Sequence, residues 1–362
     1  MILNFNQDKE KSQQINDFDE RGKRKPWAEK KALTERFAAY VEQFDEEKAQ
    51  KIRDCGTRLI FAVDKNGKHQ LIEAYFCRMR LCPMCAWRRS LAIYAQMRKV
   101  LQEMPQETTY TLLTLTCANV FFDDLKDTIN EMMAAFRRLH QRKDMKKAIK
   151  GFYRALEITY NNEKFITPEM AKWKSIKNRG LKAGDDNPFY NTYHPHFHIL
   201  LAHNKSYFTS RDYLSQDKIT EMWKDALRIN YDPIIDIRKV KIKNGQPTEA
   251  AIAEVCKYPV KPKSYDLPDD IEAAGHLIEK FDKALKGRRL IGLGGCFREI
   301  QKKITGEETI NEDQLFDEET NFEAITKIAY IWAPGLRAYK NSKEALEAYE
   351  ARQEHRRQVA AL

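Results

Sequence analysis

His194-Pro195-His196-Phe197-His198-Ile199-Leu200-Leu201-Ala202 sets three histidines at alternate positions and follows them with an apolar run. In an extended strand, residues i, i+2 and i+4 share one face. The three imidazoles therefore line up on one side, while Pro195, Phe197, Ile199 and Leu201 face the other. Histidine is scarce in this chain, with eight in 362 residues, so three within five positions is more than composition supplies. The bland alternative is an exposed strand that happens to carry histidines. The chemical reading is a metal site that waits for a further ligand.

Outward from this strand, strands alternate with helices from residue 110 on. Candidate strands lie at 110–117, 152–160, 194–202, 234–242 and 324–332, and five strands suggest one sheet. The helix at 123–142 carries Leu125, Ile129, Met132, Met133, Phe136 and Leu139 at helical spacing, and a second helix covers 210–228; both stripes read as core. Residues 161–193 are polar and rich in Asn, Asp and Lys. They form a long loop inserted before the histidine strand, either functional or a disordered insertion. Upstream, 1–26 reads as a mobile charged extension and 27–53 as a helix. The runs 59–63 and 71–76 flank Asn66-Gly67, a hairpin turn signal, and a helix follows at 87–103. Residues 303–321 are acidic and loop-like, and 341–360 form a charged helical tail. The chain thus divides into an extension and helix (1–53), a cysteine-rich module with its helix (54–104), the strand–helix region (105–340) and the tail (341–362).

A hydrophobic content of 42% supports a folded core in one large domain or two small ones. Lys and Arg number 63 against 53 Asp and Glu, a net charge of +10 that favours a polyanionic partner, although charges of both signs are spread widely. The chain opens without a basic-then-apolar leader and has no apolar run of about 18 residues, so a cytoplasmic location without membrane contact is expected. Seven cysteines, four of them clustered, fit a reducing compartment and metal binding better than a disulfide framework.

Cys77, Cys82 and Cys85 form C-x4-C-x2-C, with Cys55 one hairpin upstream. Cys82-Pro83-Met84-Cys85 resembles a zinc knuckle, in which two thiolates from a tight turn and a second pair, here Cys55 and Cys77, close a tetrahedron. A redox C-x-x-C pair and inert buried thiols are the competing readings. Arg78, Arg80, Arg88 and Arg89 surround the cluster, either as phosphate contacts or as a solvated face. Further on, 248–258 reads as a short helix capped by Thr248 and stopped by Pro259, with Tyr258 at its end. Glu254 and Tyr258 share a face, and Lys257, Lys261 and Lys263 crowd the same place. A tyrosine, a positive environment to lower its pKa from about 10, and a carboxylate within reach are what phosphoryl transfer to tyrosine requires.

Thr111-Leu112-Leu113-Thr114-Leu115-Thr116, the histidine strand and the segment from Glu254 to Lys261 resemble, in that order, the three motifs of rolling-circle replication initiators. More narrowly, the chain resembles the single-tyrosine Rep family of small Gram-positive plasmids, within the HUH endonuclease superfamily. The segments 77–89 and 330–336 are also family-like, so the resemblance spans about 55–340. It implies an α+β fold: an HUH domain with a central five-stranded antiparallel sheet flanked by helices, preceded by the cysteine-rich zinc module. It implies Mn2+ or Mg2+ held by His196 and His198 with a third ligand from a neighbouring strand, for which Glu157 and His194 are rivals. It implies Tyr258 as nucleophile, Glu254 as the carboxylate four residues earlier, Lys257 and Lys261 as phosphate-stabilising cations, and Zn2+ on the four cysteines. The implied reaction is nicking of one strand at a plasmid double-strand origin, single-stranded or hairpin at the nick, with a 5′-phosphotyrosine link, a free 3′-hydroxyl primer and later strand transfer. A host helicase and the replication machinery would be partners. Pro259, directly after the tyrosine, departs from the pattern.

Two other readings stay open. An HUH-type transposase typically carries two tyrosines four apart, whereas position 254 is Glu and the next tyrosine, Tyr265, is seven away. A non-catalytic zinc-dependent DNA-binding regulator would bind without cleaving. A conjugative relaxase normally has its tyrosine before the histidines, and a metal-dependent oxygenase explains neither the tyrosine helix nor the charge.

Overall fold

The computed structural model describes residues 15–19, 22–243, 246–247, 249–256, 270–316 and 322–360. Its helices, in chain order, are α1 (Trp27–Glu42), α2 (Glu46–Asp54), α3 (Pro83–Gln102), α4 (Phe122–Gln141), α5 (Lys143–Ala148), α6 (Lys174–Lys177), α7 (Gln216–Leu227), α8 (Glu249–Val255), α9 (Ile271–Leu285), α10 (Cys296–Thr305) and α11 (Lys343–Ala360). The strands are β1 (Arg58–Val63), β2 (His69–Ala74), β3 (Thr109–Thr116), β4 (Gly151–Asn161), β5 (Thr192–His203), β6 (Ile235–Lys239), β7 (Ile242–Lys243), β8 (Gln246–Pro247), β9 (Ile291–Gly295), β10 (Thr326–Ala333) and β11 (Ala338–Asn341). They fall into two compact units, each discontinuous in sequence: 1–95 with 270–279 and 313–362, and 96–269 with 280–312.

The first unit holds a four-stranded antiparallel sheet, β11-β10-β1-β2. Its core is aromatic. Trp27 meets Phe61 and Trp87 edge-on, at ring-centroid distances of 5.8 and 4.8 Å, and Phe61 meets Tyr330 at 5.9 Å. The helix expected at 27–53 is two helices, because Asp45 caps a fresh start by accepting from the Lys48 amide at 2.9 Å. The described part of the N-terminal extension is docked rather than mobile. Trp27 Nε1 donates to Asp17 at 2.9 Å, Lys25 pairs with Asp17, and the Asn16 side chain donates to the Gly67 carbonyl of the hairpin turn. Helix α11, expected as a tail, lays Ala345 and Tyr349 on Ile60 and Ala329.

The second unit holds the histidine strand at the centre of a five-stranded antiparallel sheet, β6-β3-β5-β4-β9. The sheet has the expected number of strands but not the expected members. The strand read at 324–332 is β10, which pairs with β1 in the other sheet, and its place is taken by β9, Ile291-Gly292-Leu293-Gly294-Gly295. Glycine is depleted in strands, so this segment carries no strand signal of its own. Close approach explains the glycines. A Cβ on Gly151, the β4 partner of Gly295, would stand 2.6 Å from the Gly294 carbonyl oxygen and 2.7 Å from the Cys296 nitrogen, and one on Gly294 would overlap the Phe152 ring. Because these are backbone obstacles, Gly151→Ala is expected to destabilise the protein by about 3 kcal/mol, seen as a lower denaturation midpoint at unchanged m-value. An unchanged midpoint would show that this edge pairing is looser than described.

One sheet face is covered by α4 and α7, amphipathic helices that bury Leu125, Ile129, Met132, Phe136, Ile219, Met222 and Trp223. Phe136 packs edge-on against Phe152 and Phe197, at 5.0 and 5.8 Å. The connection read as a loop at 161–193 is folded. It contains a 3₁₀ turn (Met170–Lys172) and α6, and closes over its own cluster of Ile166, Met170 and Ile176, with Ala171, Leu181 and Phe189 against it.

Candidate metal centres and the tyrosine helix

Strand register builds the first site. Glu157 on β4 stands opposite His196 on β5, Ala155 opposite His198, and Thr114 on β3 opposite His198 from the other side. Strand alternation puts Tyr153, Glu157, His194, His196, His198 and Thr114 on one face, while Phe197 and Leu156 point into the α4 side. Phe197 and Leu156 are fully buried, and the Arg154 guanidinium lies 4.7 Å over the Phe197 ring. A one-residue slip would drive the histidines into that core, so the apolar face fixes the presentation of the polar one.

His198 Nε2 lies 3.0 Å and His196 Nε2 3.6 Å from the same Glu157 oxygen. The three ligand atoms lie within 4.8 Å of one another. His196 Nδ1 is 3.0 Å from the His194 carbonyl, an acceptor only, so Nδ1 carries the proton and donates. With Nδ1 engaged there, Nε2 is the ring nitrogen of His196 that faces Glu157. His198 Nδ1 meets the Thr114 hydroxyl at 3.5 Å. Partners of this kind on the far ring nitrogen orient metal-binding histidines. Burial by itself would raise the Glu157 carboxyl; hydrogen bonds and charge from His196 and His198 override it and hold the group well below the usual carboxylate range. In an octahedral face with ligands about 2.1 Å from the ion, neighbouring donor atoms are about 3 Å apart, and the trio is close to that spacing. Two imidazoles and one carboxylate therefore fit a hard-to-borderline divalent ion. His194 lies outside the trio. Its ring stacks on His196 at 5.3 Å, and burial together with the neighbouring His196 lowers its pKa to about 4, while its backbone carbonyl orients His196.

The four cysteines meet as a second cluster. Cys55 follows α2, Cys77 follows β2, and Cys82 and Cys85 flank the first turn of α3, which Pro83 opens. Their sulfurs are 3.6 Å (Cys55–Cys85), 3.7 Å (Cys77–Cys85) and 3.8 Å (Cys55–Cys82) apart. A disulfide would need about 2.05 Å. A tetrahedron with Zn–S bonds of about 2.3 Å has edges of about 3.8 Å, so the spacing fits a four-thiolate zinc site. Burial pushes the Cys55 thiol up, with the neighbouring thiols adding to it. At Cys82, hydrogen bonds from Cys55, Cys77 and Cys85 overcome the same burial and bring it well below the ordinary thiol value. Thr34 braces the turn by accepting from the Met84 amide at 3.1 Å. Two of the surrounding arginines are neither phosphate contacts nor a solvated face. Arg88 is buried between Trp27 and Trp87 and donates to the Leu315 carbonyl at 2.7 Å, and buried Arg89 donates to the Met79 and Arg78 carbonyls.

Of the short helix expected at 248–258, the described part is α8, Glu249–Val255, packed on β4 and β5; the expected cap Thr248 lies outside the described residues. Buried Cys256 sits beside the Tyr153 hydroxyl, and Tyr153 is on the face that carries Glu157. Helix α8 therefore approaches the imidazole face of the sheet. Glu254 falls in the last turn of α8, with its side chain outside the described residues, as are Lys257, Tyr258 and Lys261. Sequence reading missed Thr114 and Tyr153 as parts of this face. The available signal was strand period: Tyr153 stands four residues before Glu157 in β4, and Thr114 lies on β3 opposite His198.

Among the described residues, no helix is long and apolar enough to cross a membrane. The family model described as a replication protein matches residues 68–340. The chain is 34% identical to a Rep protein of Bacillus amyloliquefaciens over 88% of its length and 94% of the relative's. It is 33% identical to one of Streptococcus pneumoniae serotype 2 strain D39, over 87% and 92%. A Rep protein of Staphylococcus aureus is 32% identical over 66% of this chain and 93% of its own length. No solved structure matches the chain. Family model, relatives and the ordered motifs agree, and the chain belongs to the Rep family of replication proteins, the initiators of plasmid rolling-circle replication.

Proposed function

We propose that this protein nicks one strand at the double-strand origin of its plasmid through Tyr258 and later ends the round by strand transfer. The observation that carries this reading is the Glu157–His196–His198 trio on the sheet face that α8 approaches. In the proposed reaction the Tyr258 oxygen bonds to the scissile phosphorus as the bond from phosphorus to the 3′ oxygen breaks. The phenolic proton passes to solvent, and the departing 3′ oxygen takes one up from solvent to become the hydroxyl that primes synthesis, so no proton is gained or lost overall. One phosphodiester replaces another, so the bond energy is kept and no nucleotide cofactor is needed. Mn2+ or Mg2+, when bound, would supply Lewis acidity at the scissile phosphate.

Lys257 and Lys261 stabilise charge on the phosphoryl oxygens. At termination Glu254 takes a proton from water or from an incoming 3′-hydroxyl. Zn2+ on Cys55, Cys77, Cys82 and Cys85 is a structural cofactor that stabilises the fold around the hairpin. The site acts in the cytoplasm with a host helicase and the replication machinery.

The test is incubation with Mn2+ and single-stranded oligonucleotides spanning the cognate origin, read on a denaturing gel for protein joined to DNA. A metal-dependent adduct is expected with the native protein and none with Tyr258→Phe, whose origin binding stays near normal. Persistent adduct in the variant would remove Tyr258 from the nucleophile's role. Origin binding without an adduct in the native protein would make the chain a DNA-binding regulator.

A further inference from the structure

The β4–β5 connection is larger than two adjacent antiparallel strands need, since such strands are joined by turns of about 2–5 residues. It leaves the sheet at Asn161, four residues or about 13 Å of strand beyond Glu157, and returns at Thr192, two residues before His194. The base of the insertion thus lies near the imidazole–carboxylate trio along both strands. Its own cluster of Ile166, Met170 and Ile176 keeps it folded, and Asn187 ties its base by donating to the Asn161 side chain at 3.0 Å and to the Glu163 carbonyl.

That cluster does not use the largest ring in the segment. Trp173 is 46% exposed, and Phe165 and Tyr190 are 57% and 41% exposed. Residues 172–182 contain five Lys or Arg and no Asp or Glu, and Lys172, Lys177, Arg179 and Lys182 are exposed in the same run as Trp173, with Arg179 lying 5.2 Å over the Phe189 ring. An indole left in water among cations, on a segment already stabilised without it, is not explained by folding. The combination matches one ligand chemistry: bases that offer a π face, joined by phosphates that need neutralising. Duplex DNA hides its base faces in the stack, so the surface suits an unpaired strand. An acidic peptide would satisfy the cations and leave the ring without a partner.

We infer that the β4–β5 insertion is a binding surface for unpaired DNA, on which Trp173 stacks against a base and the 172–182 run neutralises the neighbouring phosphates. The inference rests on the nicking reading for the identity of the strand, which would be the one carrying the scissile phosphate. Held there, the strand is anchored on one side of the trio, and the insertion sets which flanking nucleotides are gripped.

The experiment compares the full-length native chain with Trp173→Ala and Trp173→Phe by fluorescence anisotropy, using an oligothymidine of about 20 nucleotides and a mixed-sequence duplex of similar length. Trp173→Ala is expected to weaken oligothymidine binding about 10-fold, or about 1.4 kcal/mol, and to leave duplex affinity within about 2-fold. Trp173→Phe, which keeps a ring, recovers most of the loss. Lys177→Glu with Arg179→Glu flattens the plot of log affinity against log salt by about 1.4, the slope of two lost single-strand phosphate contacts. Unchanged oligothymidine affinity in a folded Trp173→Ala protein overturns the inference, as does an equal loss on duplex and single strand. The gel assay for covalent adduct separates the two readings. A native protein that forms no adduct yet depends on Trp173 for oligothymidine supports this surface while removing the nickase. A normal adduct with Trp173-independent binding removes the surface alone.

Discussion

Glu157→Ala is expected to weaken Mn2+ binding by more than about 100-fold and to reduce adduct formation at least as much. The basis is geometric. A single carboxylate oxygen stands 3.0 and 3.6 Å from the two imidazole nitrogens, so removing it takes away the only negative ligand of the trio. Loss of an orienting partner at metal sites typically costs 10–100-fold, and loss of a ligand costs more. His194→Ala should be far milder, within a few-fold, because what this residue lends to His196 is its backbone carbonyl, which the substitution retains. Calorimetric titration of the purified variants with Mn2+, beside the gel assay, checks both. Native-like affinity in Glu157→Ala would move the ion elsewhere, and a larger loss in His194→Ala than in Glu157→Ala would exchange their roles.

Cys82→Ser is expected to abolish zinc binding and to unfold the unit around the hairpin. Structural zinc contributes roughly 10–16 kcal/mol of apparent binding free energy in small domains, as much as the whole stability of an ordinary domain. Here the four ligands come from the end of α2, the end of β2 and the start of α3, so the ion would join three segments that otherwise meet through the aromatic core around Trp27. Elemental analysis should find about one zinc per native chain and none in Cys82→Ser, with a strongly lowered melting temperature by circular dichroism. Cys117→Ser is the control, since Cys117 is equally unbridged but lies outside the cluster, against Met132 and the Pro195 carbonyl. A native protein free of zinc, or a Cys82→Ser protein with unchanged melting, would leave the cluster as four buried thiols.

Two kinds of information made up this protein, and the particular residues show which is which. The alternation from His194 to His198 was legible because strand period is a local property of the backbone, and the face it defines is the face observed. The Cys82–Cys85 turn was legible for the same reason, and Cys55 joined it once Asn66-Gly67 marked a hairpin. The membership of the two sheets was not legible: β9 has three glycines in five residues, and β10 looks like any other apolar strand. Glycine at 294 is required by Phe152, far away in sequence, and β10 pairs antiparallel with β1, far upstream of it. Arg88 and Arg89 read as surface cations beside the cysteines, yet Trp27 and the Leu315 carbonyl, both distant in sequence, enclose Arg88, and the folded-back Arg78 and Met79 carbonyls hold Arg89 inside. The insertion at 161–193 read as polar loop because its apolar residues Ile166, Met170 and Ile176 follow no single period and meet only after the chain has turned. Period, spacing and turn chemistry, all set within a few residues, were determined by the sequence itself; pairing partners, ligand trios and the burial of charge depended on which distant segments exclude water together, and only the tertiary structure decides that.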